Sequence, residues 1–169
     1  IFNLSFPNYL QKEPIVISHI GYKTYQLQAT EISRDSLTLF LVPVIQDLKE
    51  ILGKDSKINV LIHSIAKGNL KPMVSDAENI LQNDEFRLTI NAMAISLYDW
   101  TTELFKAKLF AADTRIISFT SEGNTKAWQH YAAVSAAKVT LEAITRNIAL
   151  EFAPHGIKAN CIQAGVTDT

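Results

Sequence analysis

The 169-residue chain contains a single cysteine, Cys161, and only six glycines, none of them grouped. One cysteine excludes an internal disulfide framework and fits a reducing compartment; in its strand-like setting Cys161 reads as a small buried hydrophobe. No apolar run approaches the roughly 18 residues of a spanning helix. The chain starts at Ile1-Phe2-Asn3, with neither Met nor a basic leader, so no signal peptide is read. A surplus of charge is missing too. The formal net charge is −1, which gives no reason to expect nucleic acid or an anionic membrane as partner. A cytoplasmic setting without a metal is expected. What is present, 47% hydrophobic and 20% charged residues, suffices for a sizeable core. With no repeat, low-complexity tract or linker, residues 1–169 read as one domain.

Ile1 to Phe6 alternates apolar and polar like a strand ended by Pro7-Asn8, and Tyr25 to Ala29 reads as a short second strand. The Ile15-Val16-Ile17 run between them has no clear period. Ser33 and Ser36 precede Leu37, Phe40, Leu41, Val44, Ile45, Leu48 and Leu52, a broad apolar helix face. Pro43 either kinks that helix or marks its true start, and Gly53 closes it. Ile58 to Ile62 suits a strand buried on both faces of a parallel sheet. A helical stretch from about Ser75 to Leu109 follows, then a buried strand at Arg115–Thr120. The helix through Lys138, Leu141, Ile144, Ile148 and Phe152 stops at Pro154-His155-Gly156, before a strand at Ile157–Ile162. Alternating strand and helix predict an α/β fold, a Rossmann-like doubly wound parallel sheet with helices on both faces.

The chemistry centres on His130-Tyr131-Ala132-Ala133-Val134-Ser135-Ala136-Ala137-Lys138. A tyrosine hydroxyl is too weak an acid to give up a proton near neutral pH unless a fixed cation favours its phenolate. Lys138 is placed to be that cation. Seven residues are close to two helical turns, so both side chains share one face about 10 Å apart, a gap that a flat hydroxylated body such as a ribose could fill. The small alanines between them permit close approach. An amphipathic helix carrying Tyr and Lys by chance is the bland alternative.

These residues resemble the short-chain dehydrogenase/reductases, and most closely their enoyl-acyl-carrier-protein reductase branch. Most of that superfamily places Tyr four residues before Lys, where this chain has the inert Val134; the enoyl branch uses Tyr, six residues, Lys, as here. The resemblance is firm from about Ile58 to Thr169. In such sheets ligands bind beyond the carboxyl ends of the strands. After the first of them, His63-Ser64-Ile65-Ala66 resembles the branch pattern, which implies adenosine- and ribose-side contacts from Ser64, Ile65 and Ala66. His63 itself is either a core histidine or part of that backbone motif. Thr120, a cofactor-side position, leads into Ser121, seventeen residues before Lys138. The superfamily keeps a substrate-polarising Ser at that offset, where many enoyl reductases have a second Tyr. Ser121 thus bonds a substrate carbonyl or caps a turn. Gly165 and Val166, which replaces the usual Pro, would line the nicotinamide, and Thr169 would hold the pyrophosphate. Asn91 matches the helix Asn that anchors a water relay to the Lys, with surface packing as the alternative.

The family's opening glycine-rich turn, whose N–H groups face the pyrophosphate, is not found here. If Ile1–Phe6 is the family's second strand, the first strand precedes Ile1, and the chain is expected to be part of a longer enzyme. The resemblance implies reduction of the carbon–carbon double bond of trans-2-enoyl thioesters, on acyl carrier protein or coenzyme A, by NADH or NADPH. Catalysis would fall to Tyr131 as donor to the thioester oxygen, Lys138 on the nicotinamide ribose, and Ser121 as auxiliary donor. Ser5 to Asn8, where the family decides between NADH and NADPH, holds neither an acidic nor a basic residue. The alternatives are a carbonyl or 3-ketoacyl reductase of the same superfamily and a non-catalytic dinucleotide-binding relative. Relatives are commonly homotetramers, for which Leu97, Trp100, Leu104 and Phe105 offer apolar surface unless they lie in the core.

Overall fold

The computed structural model describes residues 2–5, 15–19, 25–27, 38–53, 55–76 and 79–165. Its first three strands, β1 (Phe2–Ser5), β2 (Ile15–His19) and β3 (Tyr25–Leu27), pair antiparallel in the order β1-β2-β3. The unpatterned Ile15 run is therefore a strand, and β1 is not a member of the parallel sheet. That removes the basis for reading Ser5 to Asn8 as a cofactor-selecting strand end. Helix α1 (Thr38–Leu52) runs on through Pro43 and ends at Gly53, whose φ of +71° is a left-handed stop.

The second sheet is parallel, β4-β5-β6, from β4 (Ile58–His63), β5 (Phe110–Ser121) and β6 (Ile157–Ala164). Its register aligns His63, Ser118 and Cys161 across the three strands, and β5 continues to Ser121 opposite Ala164. Between β4 and β5 lies one helical rod, α2 (Asn83–Ile90), a π-helical turn (Asn91–Ile95) and α3 (Ser96–Lys106). Between β5 and β6 lies α4 (Ala132–Glu151). The rod begins at Asn83 rather than Ser75. Upstream, the Leu81 N–H bonds the Pro72 carbonyl at 2.8 Å and closes a loop instead of a helical turn. At Asn83 the Gln82 N–H meets the Glu85 carboxylate at 3.1 Å and starts the helix.

Leu61, Ile116, Ile157 and Ala159 from one sheet face pack into a single cluster with Ile45 of α1, Leu97 and Leu104 of α3, and Leu141 and Ile148 of α4. Each such Leu or Ile side chain, fully buried, contributes about 1.5–3 kcal/mol. The described helices thus share one face of a Rossmann-like parallel sheet. On the other face Val60 and Ile62 are 49% and 37% exposed and Ile162 is 46% exposed, so β4 is not covered on both sides among the described residues. Leu97, Trp100 and Leu104 are core residues, at 0%, 5% and 1% exposure, packed in the cluster between α1, α3, α4 and the sheet. They offer no surface to a partner.

After α4 the chain turns through Ala153–His155, and Gly156 takes φ +75° to enter β6. A Cβ there would lie 1.8 Å from the Ala112 carbonyl oxygen. At Gly53, with the same backbone hand, nothing lies within 4 Å. Gly53→Ala is expected to cost about 1 kcal/mol, the left-handed backbone alone, and Gly156→Ala clearly more. Urea unfolding of the two variants checks this; equal losses would show that the Ala112 contact is absent in solution.

Candidate active site

Helix α4 is fastened to β5 by polar side chains that grip consecutive strand residues. Ser118 Oγ donates to Thr145 Oγ1 at 2.9 Å, because the Thr145 proton goes to the Leu141 carbonyl at 2.8 Å. Lys138 Nζ donates to the Phe119 carbonyl at 2.7 Å. Glu142 Oε1 accepts from Thr120 Oγ1 at 2.5 Å and from Asn124 Nδ2 at 2.6 Å. Lys138 is buried, and this desolvation depresses its pKa, opposed by Cys161 across the sheet. One of its three N–H donors is committed to Phe119, leaving two for a ligand.

Tyr131 is the residue that caps the start of α4, at φ −107° and ψ 3°, just after His130 in the left-handed region at φ 63°. Its ring lies on the 3₁₀ turn Glu122–Asn124, where a Cβ on Gly123 would come within 2.5 Å of Tyr131 Cε1. The edge of Trp128 meets the ring at 5.1 Å and 78°. The half-buried tyrosine also packs on the cluster of Ile65, Met93, Val134 and Ala137. Val134, the slot where most of the superfamily keeps its Tyr, is thus a core residue. Ser121 Oγ, at the end of β5, is buried and without a hydrogen-bond partner. A buried hydroxyl left unpaired is costly, so an incoming acceptor or donor would be favoured there.

His63 ends β4 as a buried residue. Ser96 gives its proton to the Ala92 carbonyl at 2.7 Å, so its oxygen accepts from His63 Nε2–H at 2.7 Å. Nδ1 is left bare, buried and unpartnered. Burial, then the charge of Lys138, push the imidazole pKa down to about 4. The core reading of His63 is the one the structure carries.

The other sequence-derived positions scatter around this centre. Ser64 and Ala66 are exposed just beyond β4, whereas the Ile65 side chain is buried, leaving its main chain for any ligand. The Thr120 hydroxyl is committed to Glu142, so a cofactor contact there would also come from the main chain. Asn91 is exposed on the first residue of the π turn, and Lys138 bonds the Phe119 carbonyl instead. Gly165 is exposed beyond β6, and Val166 and Thr169 lie outside the described residues. Glu142, Gly123 and Trp128 were not singled out from sequence. A carboxylate four residues after Lys138, on the same side of α4, was the available signal for the first. Among the described residues no helix is long and apolar enough to cross a membrane, and no group of three acidic, His or Cys side chains could hold a metal ion.

Comparison with known proteins follows the same outline. The family model described as enoyl-(acyl carrier protein) reductase matches residues 44–169. The chain is 29% identical over 129 residues to the enoyl-[acyl-carrier-protein] reductase [NADH] of Aquifex aeolicus, covering 74% of this chain and 46% of that protein. It is 32% identical over 118 residues to the [NADPH] enzyme of Staphylococcus aureus, covering 69% and 44%. Among solved structures it superposes on the Bacillus cereus enoyl-acyl carrier protein reductase with NADP+ and indole naphthyridinone at a TM-score of 0.64 and 29% identity, over 76% of this chain and 48% of that one. The chain therefore spans about half the length of the curated relatives it matches.

The neutral burial of His63 has a measurable consequence. Its folded pKa of about 4 lies below the 6.5 of an exposed imidazole, so its contribution to stability is complete above pH 6.5 and is lost as pH falls towards 4. That loss is about 3 kcal/mol. Urea unfolding at pH 7 and pH 4 is expected to show a smaller acid loss in His63→Gln than in the parent; equal losses would mean that the imidazole is not buried in its neutral form.

Proposed function

The chain belongs to the enoyl-(acyl carrier protein) reductase family, and on that premise we propose that the protein it forms reduces the carbon–carbon double bond of trans-2-enoyl thioesters with NADH or NADPH. The observation that carries this reading is the placement of Tyr131, held over Gly123 at the head of α4, and of the buried Lys138 cation within that helix, with the unpaired Ser121 hydroxyl at the end of β5. A dinucleotide fits the residues present. Exposed Ser64, Ala66 and Gly165 border the strand ends, and Lys138 retains two free N–H donors for ribose hydroxyls.

When bound, the reduced nicotinamide supplies a hydride. Addition at the β-carbon drives negative charge onto the thioester oxygen, and the groups that receive that charge are this chain's own. Tyr131 donates a hydrogen bond or a proton to the oxygen, and Ser121 adds a second donor from a buried position. Lys138 stabilises negative charge on the tyrosine oxygen and orients the cofactor ribose. Trp128 and Gly123 hold the phenol ring in one pose, which matters because donor geometry is set before the charge forms. Asn91, Thr120, Val166 and Thr169 remain proposed cofactor-side positions, Thr120 through its main chain.

In this reading the thioester is carried by acyl carrier protein or by coenzyme A, and both carriers belong in the assay. A homotetramer is proposed as the assembly, supported by the exposed apolar side chains Ile95, Tyr98 and Val139 on the rod and α4 in place of the buried Leu97 and Leu104. A cytoplasmic setting and a single domain over residues 1–169 complete the proposal, the former supported by the free Cys161.

The test follows nicotinamide absorbance in the whole protein, offering crotonyl and acetoacetyl thioesters with each of NADH and NADPH. Turnover of the crotonyl substrate alone is expected. Turnover of acetoacetyl alone would establish the carbonyl reductase alternative, and silence with both the non-catalytic one. Tyr131→Phe is expected to lower kcat by about 10²–10³-fold, as loss of an oxyanion donor does, with cofactor Kd nearly unchanged. Lys138→Ala should weaken cofactor binding first. Equal and complete loss of cofactor binding in both would contradict these separate roles.

A further inference from the structure

The tyrosine's support is itself supported, and by a residue with no assigned part. We propose that Glu142 is a positioning residue that fixes the turn beneath the Tyr131 ring by holding Thr120 and Asn124 on one carboxylate oxygen. The inference rests on the reading of Tyr131 as donor.

Thr120 and Asn124 bracket Ser121-Glu122-Gly123, so a single oxygen that accepts from both at 2.5 and 2.6 Å spans the turn at its two ends. Hydrogen bonds to a carboxylate are the strong ones, and two on one atom leave little freedom to either donor. The turn has few other anchors to α4. Ser121 Oγ is unpartnered, and the Asn124 Oδ1 is buried and unpartnered as well, so Nδ2 is that side chain's hold. Glu122 ties the turn forward instead, through its carbonyl to the Thr125 and Lys126 N–H groups and its carboxylate to Lys126 at 2.6 Å. Releasing Asn124 would let Gly123 move against the Tyr131 ring, where 2.5 Å separates Cε1 from an added Cβ and no slack exists. Lys138 keeps its bond to Phe119 in that event, because its partner is a carbonyl within β5 and not in the turn. The chemical step and cofactor binding should therefore separate.

In the whole protein, Glu142→Ala and Asn124→Ala break the same bridge from opposite sides, and Glu142→Gln keeps an oxygen able to accept both bonds. Glu142→Ala and Asn124→Ala are each expected to lower kcat with crotonyl thioester by about 10- to 100-fold, the scale of a small misplacement of a reacting group. Cofactor Kd should stay near the parent value, and Glu142→Gln should recover most of the loss. Near-UV circular dichroism reads the Trp128–Tyr131 pair without turnover, and it should change in both alanine variants and return in Glu142→Gln. Parent-like kcat and dichroism in both alanine variants would overturn the proposal, as would a Glu142→Gln no better than Glu142→Ala. If the parent itself fails to reduce crotonyl thioester, the enoyl reading falls while the dichroism still decides the role of Glu142.

Discussion

A buried ammonium must be answered by oxygen. Lys138 sits within the packing of α4 on β5, where an unpaired cation would cost several kcal/mol, and the Phe119 carbonyl meets it at 2.7 Å. One residue earlier, Ser118 on Thr145 holds the same strand to the same helix. The neutral His63 belongs to the same constraint. Locked by Ser96 with a bare Nδ1, it adds no second positive charge to the space around Lys138.

Parallel strands end together, and this is what turns a fastening into a site. The register brings His63, Ser118 and Cys161 level, so the chain leaves β4, β5 and β6 at one edge of the sheet. From there the turn at Glu122–Asn124 and the head of α4 deliver Ser121 and Tyr131 to the same edge. The rod before β5 contributes from behind, through Met93 and Ser96. Met93, within the π turn, packs in Tyr131's cluster, and Ser96, just after it, bonds His63. Gly68, at which a Cβ would lie 2.6 Å from Val134, lets the loop after β4 cross that cluster closely.

Much of this was legible in the residues. The β-branched run of β4, the long apolar face of α4 and the stop at Gly156 carry local signals that tertiary packing did not override. The spacing of Tyr131 and Lys138 put them on one side of a helix because helix geometry fixes such offsets, while Ser121 was singled out by the family resemblance alone. The failures have physical causes. An apolar strand looks the same whether one or both faces are covered, so Val60 and Ile62 could not be told from Leu61. The residues before Asn83 carry no period that distinguishes a loop closed by Pro72 from a helix. The antiparallel pairing of β1 with β2 is a non-local choice of partner that alternation alone does not encode. Glu142, Gly123 and Trp128 act through contacts to residues 18, 8 and 3 positions away, and only the first left a trace, as a carboxylate one turn beyond Lys138 on the same side of the helix.

In the proposed reaction the fastened Lys138 and the propped Tyr131 frame the place where a dinucleotide presents its nicotinamide. A crystal structure of the whole protein with the oxidised cofactor tests this most directly. Lys138 Nζ is expected still on the Phe119 carbonyl with a ribose hydroxyl at about 3 Å, and the Tyr131 hydroxyl on the same side of the site. A cofactor bound away from Lys138, or a Lys138 swung out of its strand contact to reach it, would show that the two residues do not frame the nicotinamide.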